Sequence, residues 1–326
     1  DALPICGGGA NGSFITPGFS SNLTGTGKSN ASIFSYQTAV KIITDPFISQ
    51  HNILTVPGIR EPFVTDDAAT KTAEHALSMY LMDIPYYDFN GTRIFDGDTG
   101  RYIDSEETKD TFDARAIDND AATAYFPNIV IDDNTNGRKV TVPGTVSGLA
   151  AIGYNDRVAY PWFAPAGFNR AALGFVSQTA TRLKTPEIDG LIAARINPIA
   201  KFPRAGYVIS SQMTLKQGKS SLASVNVKRM VLDAKRSIVD IGNRQLFENI
   251  TSALRTELVK QYTAVLSGIQ AKGGLEAFVV ICDDSNNTQV DIDSNQMNVQ
   301  IRLWPTLAVE YIAIDFIVSQ SGVQFV

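Results

Sequence analysis

The sequence predicts an α/β fold of mixed α+β character: a partly parallel sheet flanked by helices, then a C-terminal antiparallel strand meander. The first observation is a β-rich run, NILTVPGI, followed by a helical stretch and a second apolar run, YLMDIP. Together these indicate a βαβ unit and hence parallel strands. The second observation is a pair of long amphipathic patterns between Val225 and Ile269, followed by three alternating apolar runs.

The element order suggests three parts. Residues 1–34 are rich in Gly, Ser, Asn and Thr and show no apolar period, which is typical of a flexible junction from a preceding, absent domain or from an inserted one. Residues 35–219 are expected to form the first part of an α/β core, with a helix from about Tyr36. Residues 220–326 are expected to form a C-terminal part with two helices and three strands.

Within the first part, Thr65 is the predicted N-cap of a helix that has Asp66 and Asp67 in its first turn. This helix is expected to run on through AATKTAEHALSMYLM. The acidic, Gly-rich stretch between Asp88 and Asp120 predicts a long solvated excursion. The following VTVPGTVSGLAAIGYNDR returns to a strand and then to small-residue packing.

In the C-terminal part, two helical stripes and a strand meander are predicted. The first stripe ends at Gly242 and consists of Val227, Met230, Val231, Ala234, Ile238 and Ile241. The other face of this helix carries Lys228, Arg229, Lys235 and Arg236. The second stripe consists of Phe247, Ile250, Leu254, Leu258, Tyr262, Leu266 and Ile269. The predicted strands are EAFVVICD, MNVQIRLW and VEYIAIDFIVS, the last with Ile312, Ile314, Phe316 and Val318 on one face.

Composition limits the function classes. At roughly 100 to 200 residues per domain, 326 residues correspond to one large domain or two smaller ones. The net charge of −5 gives no general basic field for nucleic acid or an anionic membrane. No apolar run reaches the roughly 20 residues that cross a bilayer, and the first residues lack the regions of a signal peptide. We therefore expect neither nucleic acid nor a membrane as a partner.

Residues that usually carry chemistry are sparse. Cys6 and Cys282 are the only cysteines and lie far apart, so neither a disulfide framework nor a thiolate metal site is indicated. His51 and His75 are too few for an imidazole-based triad or a multi-histidine metal site. No pattern brings two carboxylates together for acid–base work. We expect no catalytic residue, no metal site and no cofactor.

Two stretches partly match the sequence patterns of a phosphate-binding loop and of a calcium-binding loop. LTGTGKSN ends in the Gly-Lys-Ser of a phosphate-binding loop, but Asn22 stands where the first glycine belongs, and neither a strand before it nor a helix after it is predicted. In FDGDTG, glycine occupies the fifth position of a calcium loop and removes a ligand. We interpret both as solvated loops. A Rossmann-like nucleotide-binding enzyme stays open as an alternative, motivated by the α/β start and by Lys28 and Ser29.

AYPWFAPAGFNRAAL, Ala159 to Leu173, resembles the Pro-Trp-x-x-Pro-Ala-Gly-x-x-Arg segment of the contractile tail sheath proteins of bacteriophages. The stretches after it resemble further sheath segments in the same order: INPIAKFPRAGYVISSQMTL, VNVKRMVLDAKRSI, FENITSALRTELVKQYTAVL, KGGLEAFVVICDDSNNT and IRLWPTLAVEYIAIDFIVSQSG. The similarity spans roughly Tyr154 to Val326 and is much more specific than a single motif. Upstream, NILTVPGI and GGGANG resemble the sheath core more weakly.

The resemblance implies a structural subunit and not an enzyme. Sheath subunits form stacked six-fold rings around a tail tube, between a baseplate and a tail terminator, and shorten on a baseplate trigger to drive the tube through the host envelope without nucleotide hydrolysis. The expected location is the virion, after assembly in the host cytoplasm. The resemblance also implies a core or C-terminal fragment that lacks the N-terminal arm and is by itself a monomer. A sheath of a phage-derived injection machine, such as a bacteriocin or secretion apparatus, is the alternative.

Assembly candidates follow from the charged helix face, from the Pro-Trp segment and from the last strand. In this family, terminal arms add strands to a neighbour's sheet, and VEYIAIDFIVSQSGVQFV is where we expect such an edge. The candidate residues are Arg170, Lys228, Arg229, Lys235, Arg236, Tyr311, Ile312, Ile314, Phe316 and Val318.

Overall fold

The structure is a computed structural model that describes residues 30–95 and 101–308. Several predictions concern residues outside these ranges: the loop residues Lys28 and Ser29, most of FDGDTG, and the third strand of the C-terminal meander with Tyr311, Ile312, Ile314, Phe316 and Val318.

Strands and helices alternate along most of the described chain. The strands are β1 (Ile53–Thr55), β2 (Met79–Asp83), β3 (Tyr86–Tyr87), β4 (Arg93–Ile94), β5 (Ala122–Phe126), β6 (Ile129–Asp133), β7 (Arg138–Val142), β8 (Val176–Thr179), β9 (Ile196–Phe202), β10 (Gly206–Ile209), β11 (Leu275–Ile281) and β12 (Gln300–Pro305). The helices are α1 (Ala31–Ile43), α2 (Pro62–His75), α3 (Ser105–Asp113), α4 (Gly144–Val158), α5 (Gly167–Arg170), α6 (Thr185–Ala193), α7 (Val225–Asn243), α8 (Ser252–Ala271) and α9 (Gln289–Asp293).

The centre of the fold is a five-stranded sheet with the order β1-β2-β5-β9-β10. Its first four strands run parallel, and β10 pairs antiparallel with β9. Every residue of β2 and β5 is buried, as expected for parallel strands covered on both faces. The predicted α/β class with a partly parallel sheet is confirmed, and so is the βαβ unit formed by β1, α2 and β2.

The N-terminal helices begin earlier than predicted. α1 already begins at Ala31, because the Asn30 side chain accepts a hydrogen bond from the Ser32 amide at 2.9 Å. α2 begins at Pro62, whose fixed φ suits a first helical position, and Thr65 is a buried residue inside it and not its N-cap. α2 ends at His75, before the ALSMYLM stretch, because Ala76 adopts a left-handed conformation.

The stretch between Asp88 and Asp120, predicted to be a solvated excursion, contains helix α3. The Asp104 carboxylate caps this helix by accepting hydrogen bonds from the amides of Glu106 and Glu107. These acids therefore occupy the helix N-terminus, where negative charge is favourable. Phe112 on the same helix packs in the core under the sheet. The acidity that indicated solvent is thus a helix-capping pattern.

Small residues let α4 lie close to the sheet. An added Cβ at Gly148 would meet the Tyr125 ring at 2.6 Å, so only glycine fits at this contact. On the same side of the sheet, Leu81, Ile152 and Ile199 belong to one buried cluster. The small-residue run in VTVPGTVSGLAAIGYNDR is thereby explained as helix–sheet packing.

The C-terminal helices pack together and against the hairpin of β11 and β12. Of the predicted α7 stripe, Val227, Met230 and Ala234 are buried. α8 begins only at Ser252, so the predicted stripe positions Phe247 and Ile250 precede the helix. Phe247 is fully exposed and does not belong to the buried stripe. The later positions of that stripe are buried as predicted: Leu258, Tyr262, Leu266 and Ile269.

Asp83 is a buried carboxylate at the end of β2 that connects three segments. It accepts hydrogen bonds from the Gly58 amide at 2.9 Å, from the Thr145 amide at 3.2 Å and from the Thr145 hydroxyl at 2.9 Å. Burial raises the pKa of this carboxyl, and the Arg60 charge and these donors oppose that effect. Since Thr145 lies in the first turn of α4, Asp83 also fixes where that helix begins.

The two histidines form a stacked pair next to α7. The ring centroids of His51 and His75 are 4.9 Å apart and the planes differ by 8°. His75 Nδ1 lies 2.9 Å from the Ser78 hydroxyl, whereas both Nε2 atoms are buried and have no hydrogen-bond partner among the described residues. Burial lowers the pKa of both imidazoles, and the charge of Lys235 lowers that of His75 further. The folded protein therefore favours the neutral pair.

We predict that Asp83→Ala lowers the free energy of unfolding by about 2–4 kcal/mol, because it leaves three buried donors without an acceptor. Asp83→Asn keeps one acceptor oxygen and should cost less. Denaturant unfolding of the purified chain measures both changes. The matched control is Asp240→Ala at an exposed position, expected within about 0.5 kcal/mol of the parent. An Asp83→Ala variant as stable as this control would contradict the assigned role.

We also predict that the free energy of unfolding falls as the pH is lowered from 6.5, the ordinary histidine pKa, towards about pH 5. A folded-state pKa below the unfolded value means that the unfolded chain binds more protons in this range, so stability is fully present above 6.5 and is lost on acidification. The double variant His51→Gln/His75→Gln should flatten this part of the profile. An unchanged slope in the double variant would show that the pair does not cause it.

Candidate assembly surface

Trp162 lies in the segment that follows α4 and inserts between α7, α8 and the β11–β12 hairpin. We call these three elements the C-terminal module and the part of the chain that precedes them the sheet body. Trp162 is nearly buried and belongs to one apolar cluster with Met230, Leu266 and Leu275 from α7, α8 and β11. Its indole Nε1 donates a hydrogen bond to the Lys272 carbonyl at 3.0 Å. An added Cβ at Gly274 would approach the indole to 3.0 Å, so the Gly-Gly turn after α8 makes room for the ring.

Two polar side chains of α7 hold the backbone around Trp162. The Asn226 amide donates to the Trp162 carbonyl at 3.2 Å, and Arg229 Nη1 donates to the Pro161 carbonyl at 3.3 Å. Arg229 Nη2 also donates to both carboxylate oxygens of Asp156, at 2.7 and 2.6 Å. We call this set, Asp156, Pro161, Trp162, Asn226 and Arg229, the Trp162 joint. It connects α4 of the sheet body to the C-terminal helices.

Further cations of α7 contact the sheet body. Lys228 Nζ forms an ion pair with Asp120 at 2.9 Å, and its side chain is largely buried. Arg236 Nη1 donates to the Leu77 carbonyl at 2.9 Å, between α2 and β2. Together with Arg229, these residues bind α7 to the rest of the chain. Three of the four cations predicted on a charged helix face therefore have intramolecular partners.

Lys235 differs from the other α7 cations. Its residue is exposed, and none of the described carboxylates lies within ion-pair distance of it. It is therefore the cation of this helix that is available to a partner molecule.

Arg170 stabilises its own turn. Its Nε donates to the Ala164 carbonyl at 2.9 Å, and its guanidinium lies over the Phe163 ring at 5.3 Å from the centroid. Gly167, with φ of +78°, allows the tight turn between them. These contacts favour a role in shaping the Pro-Trp segment.

The hairpin of β11 and β12 presents two outer edges. Within the described ranges these strands pair only with each other. Phe278, Val280, Ile301 and Leu303 pack towards the helices, whereas Trp304 on the same hairpin is about half exposed. An isolated two-stranded sheet is marginally stable by itself and exposes unpaired backbone groups along both edges. The hairpin is therefore suited to receive further strands.

The partners of the charged candidates could not be found from the sequence. Asp120 and Asp156 lie far from α7 along the chain and carry no local pattern that marks them as ion-pair partners. Asn226 is a polar residue at a buried position of α7. A polar residue on the apolar side of a helix indicates a buried hydrogen-bond partner, and this is the one signal of the joint that the sequence offers.

The described residues show no site for a metal ion and no candidate membrane span. No three His, Cys, Asp or Glu side chains within residues 30–95 and 101–308 come together as metal ligands. Helices in these ranges are too short or too polar to cross a bilayer.

No family model matches the chain. Its curated relatives are the tail sheath proteins of three phages. The chain is 32% identical over 192 residues to that of Vibrio phage KVP40 and 29% identical over 192 residues to that of Enterobacteria phage T4. The matched region is 59% of this chain in each case, but only 28% and 29% of the relatives, so the chain spans less than a third of their length.

Solved sheath structures share the fold. The chain superposes with a TM-score of 0.67 on the sheath complex of an extracellular contractile injection system (PVC) in the contracted state, at 19% identity, covering 89% of this chain and 80% of that one. A chain of the anti-feeding prophage baseplate gives a TM-score of 0.69 at 17% identity, covering 86% of this chain and 73% of that one. The resemblance found in the sequence is therefore confirmed: this chain is a relative of the bacteriophage tail sheath proteins and has the fold of contractile sheath subunits.

Proposed function

We propose that this chain is the core of a structural subunit of a contractile phage tail sheath. The subunit polymerises in six-fold helical rings around the tail tube and contracts on a baseplate trigger to drive the tube through the host envelope. The observation that carries the proposal is the agreement of two comparisons: sequence similarity to phage tail sheath proteins, and a fold shared with contracted sheaths.

The geometry of the hairpin supports assembly by strand addition. β11 and β12 rest on α8 through their inward residues and leave both outer edges without a partner among the described residues. An arm from a neighbouring subunit that pairs with such an edge gains main-chain hydrogen bonds along its length. We expect the segment from Tyr311 to Val318 to act as such an arm.

The Trp162 joint supports a mechanical role. If neighbours pull on the hairpin, force reaches the sheet body through Trp162, Arg229 and the Lys228–Asp120 ion pair. A connection that is buried, hydrogen-bonded and ion-paired is suited to move as one unit when subunits rearrange. Contraction then changes contacts between subunits more than contacts within one.

Lys235 is the α7 residue that we assign to a partner surface, such as the tail tube or a neighbouring subunit. Lys228, Arg229 and Arg236 contribute by fixing the orientation of α7. Arg170 is proposed to shape its own turn, and so to act on assembly through local structure.

Contraction without nucleotide hydrolysis is part of the proposal. An extended lattice that is built as a metastable state can shorten spontaneously towards tighter contacts, so no fuel is needed at the moment of contraction. The location is the virion tail, after assembly in the host cytoplasm. Besides other copies of itself, the subunit is expected to contact the baseplate and the tail terminator.

A sheath of an injection machine is the second candidate, because the solved structures with this fold include an extracellular contractile injection system and the anti-feeding prophage. The sequence relatives are phage proteins, which favours the virion. Genome neighbours that encode capsid and packaging proteins would decide between the two. The third alternative, a nucleotide-binding enzyme, requires micromolar binding of ATP and Mg²⁺ by calorimetry, which we do not expect.

We predict that this chain is a monomer in dilute solution, whereas a longer form that also carries an N-terminal arm polymerises into tubes. The reason is that the arms supply the strands that complete a neighbour's hairpin sheet. Light scattering and negative-stain images of both forms provide the measurement. Tubes formed by this chain alone would refute the need for an added N-terminal arm, and failure of the longer form to polymerise under any condition would contradict the proposed function.

A further inference from the structure

We propose that the acidic connection between β11 and β12 of one copy docks into a basic cleft between β8 and the β9–β10 hairpin of a second copy. This inference rests on the proposed function, because it assumes that copies of the chain lie side by side in a polymer. The proposal assigns a partner to the cleft between β8 and the β9–β10 hairpin, a surface separate from the β11–β12 edges and from the Trp162 joint.

The receiving cleft has a volume of about 520 Å³ and combines an apolar wall with two cations. Leu183, Phe202 and Tyr207 supply the apolar surface, and Arg182 and Lys201 line the same cleft. The Lys201 ammonium lies 5.6 Å from the centroid of the Tyr207 ring. The Phe202 ring also contacts the Phe168 ring edge-to-face, at 5.4 Å between centroids.

The cations of the cleft are available to a ligand. Arg182 and Lys201 are both exposed, and none of the described carboxylates lies within ion-pair distance of either. None of the residues that line the cleft is acidic, so its lining carries a net positive charge. A negatively charged partner is therefore favoured at this surface.

The chain carries a segment of the opposite character. Between Lys272 and Arg302 there is no basic residue, and the acids in this interval are Glu276, Asp283, Asp284, Asp291 and Asp293. The connection at residues 282–299 also exposes an apolar side chain, Val290, at 73%. The Asp284 side chain is 91% exposed and Asp293 is exposed as well. An apolar residue flanked by carboxylates is thus presented at one end of the hairpin.

The cleft and the connection are complementary in charge, and both carry apolar surface. Val290 can enter the apolar part of the cleft while Asp284 and Asp293 approach Arg182 and Lys201. Asp284 is paired with Arg255 within its own chain at 2.7 Å, but an ion pair with so exposed a carboxylate contributes little and is easily exchanged. Burying an apolar group next to complementary charges gives a specific contact.

The symmetry and the size of this contact suit a polymer. Connection and cleft are different surfaces of one chain, so pairing them is head-to-tail and can propagate from copy to copy. A cleft of about 520 Å³ holds only a few side chains, so a single contact is weak and gains strength through repetition in the lattice. It is therefore compatible with a monomer in dilute solution.

A charge-exchange experiment tests the pairing. Variant C carries Arg182→Glu and Lys201→Glu, and variant H carries Asp284→Lys and Asp293→Lys. Each alone places like charges on both partners, so self-association measured by sedimentation equilibrium at high concentration and low salt should weaken about tenfold or more relative to the parent chain. An equimolar mixture of C and H restores opposite charges across the contact and should recover association to near the parent level.

The control variant exchanges exposed charges on other surfaces, Asp240→Lys with Lys260→Glu, and should associate like the parent. Circular dichroism and denaturant unfolding of every variant establish that each is folded. Absence of association in the parent, unchanged association in C or H, or no recovery in the mixture would overturn the inference. If the mixture of C and H does not recover association, the cleft can be tested against an acidic tube protein. Binding of that protein by the parent and by variant H, but not by variant C, would assign the cleft to it.

Failure of this inference is distinguishable from failure of the proposed function. If the longer form of the chain still builds tubes while the C and H variants behave like the parent, the sheath role stands and the cleft pairing does not. If the longer form builds no tubes, the sheath role fails whatever the charge variants do.

Discussion

The connection between the sheet body and the C-terminal helices is the constraint on which the structure depends. Trp162 comes from the sheet side of the chain but is buried among residues of α7, α8 and β11. Its backbone carbonyl and that of Pro161 are bound by Asn226 and Arg229, and Arg229 is in turn neutralised by Asp156. Burying a guanidinium without such an acceptor is costly, so these groups stabilise the connection only as a complete set.

This connection places the proposed assembly features on one framework. The hairpin edges belong to the C-terminal module, whereas the basic cleft lies at the edge of the sheet body. If a neighbour contacts the hairpin as proposed, the buried Trp162 joint is the path that connects this contact to the sheet body. Under the proposed sheath function, this joint favours shortening by exchange of contacts between subunits over local unfolding within one subunit.

The sequence predicted the elements with strong periodicity and missed those that depend on tertiary partners. β2 and the later part of α8 follow from a continuous apolar run and from helical spacing, respectively. The helix α3 was missed because Glu106 and Glu107 were interpreted as solvated, when they occupy a helix N-terminus capped by Asp104. Charged residues gave the weakest predictions. Arg229 and Lys228 have the pattern of an exposed face, and only the fold brings Asp156 and Asp120 to them.

Hydrogen exchange on a Trp162→Ala variant tests the central claim most directly, with Trp162→Phe as the matched control because it keeps an aromatic ring but not the donor to Lys272. If the joint couples the modules, the amides of α8, β11 and β12 lose protection together in Trp162→Ala, while β2 and β5 keep theirs. Trp162→Phe should retain most of the protection. Loss confined to the residues around position 162, or equal loss in the central strands, would contradict the account.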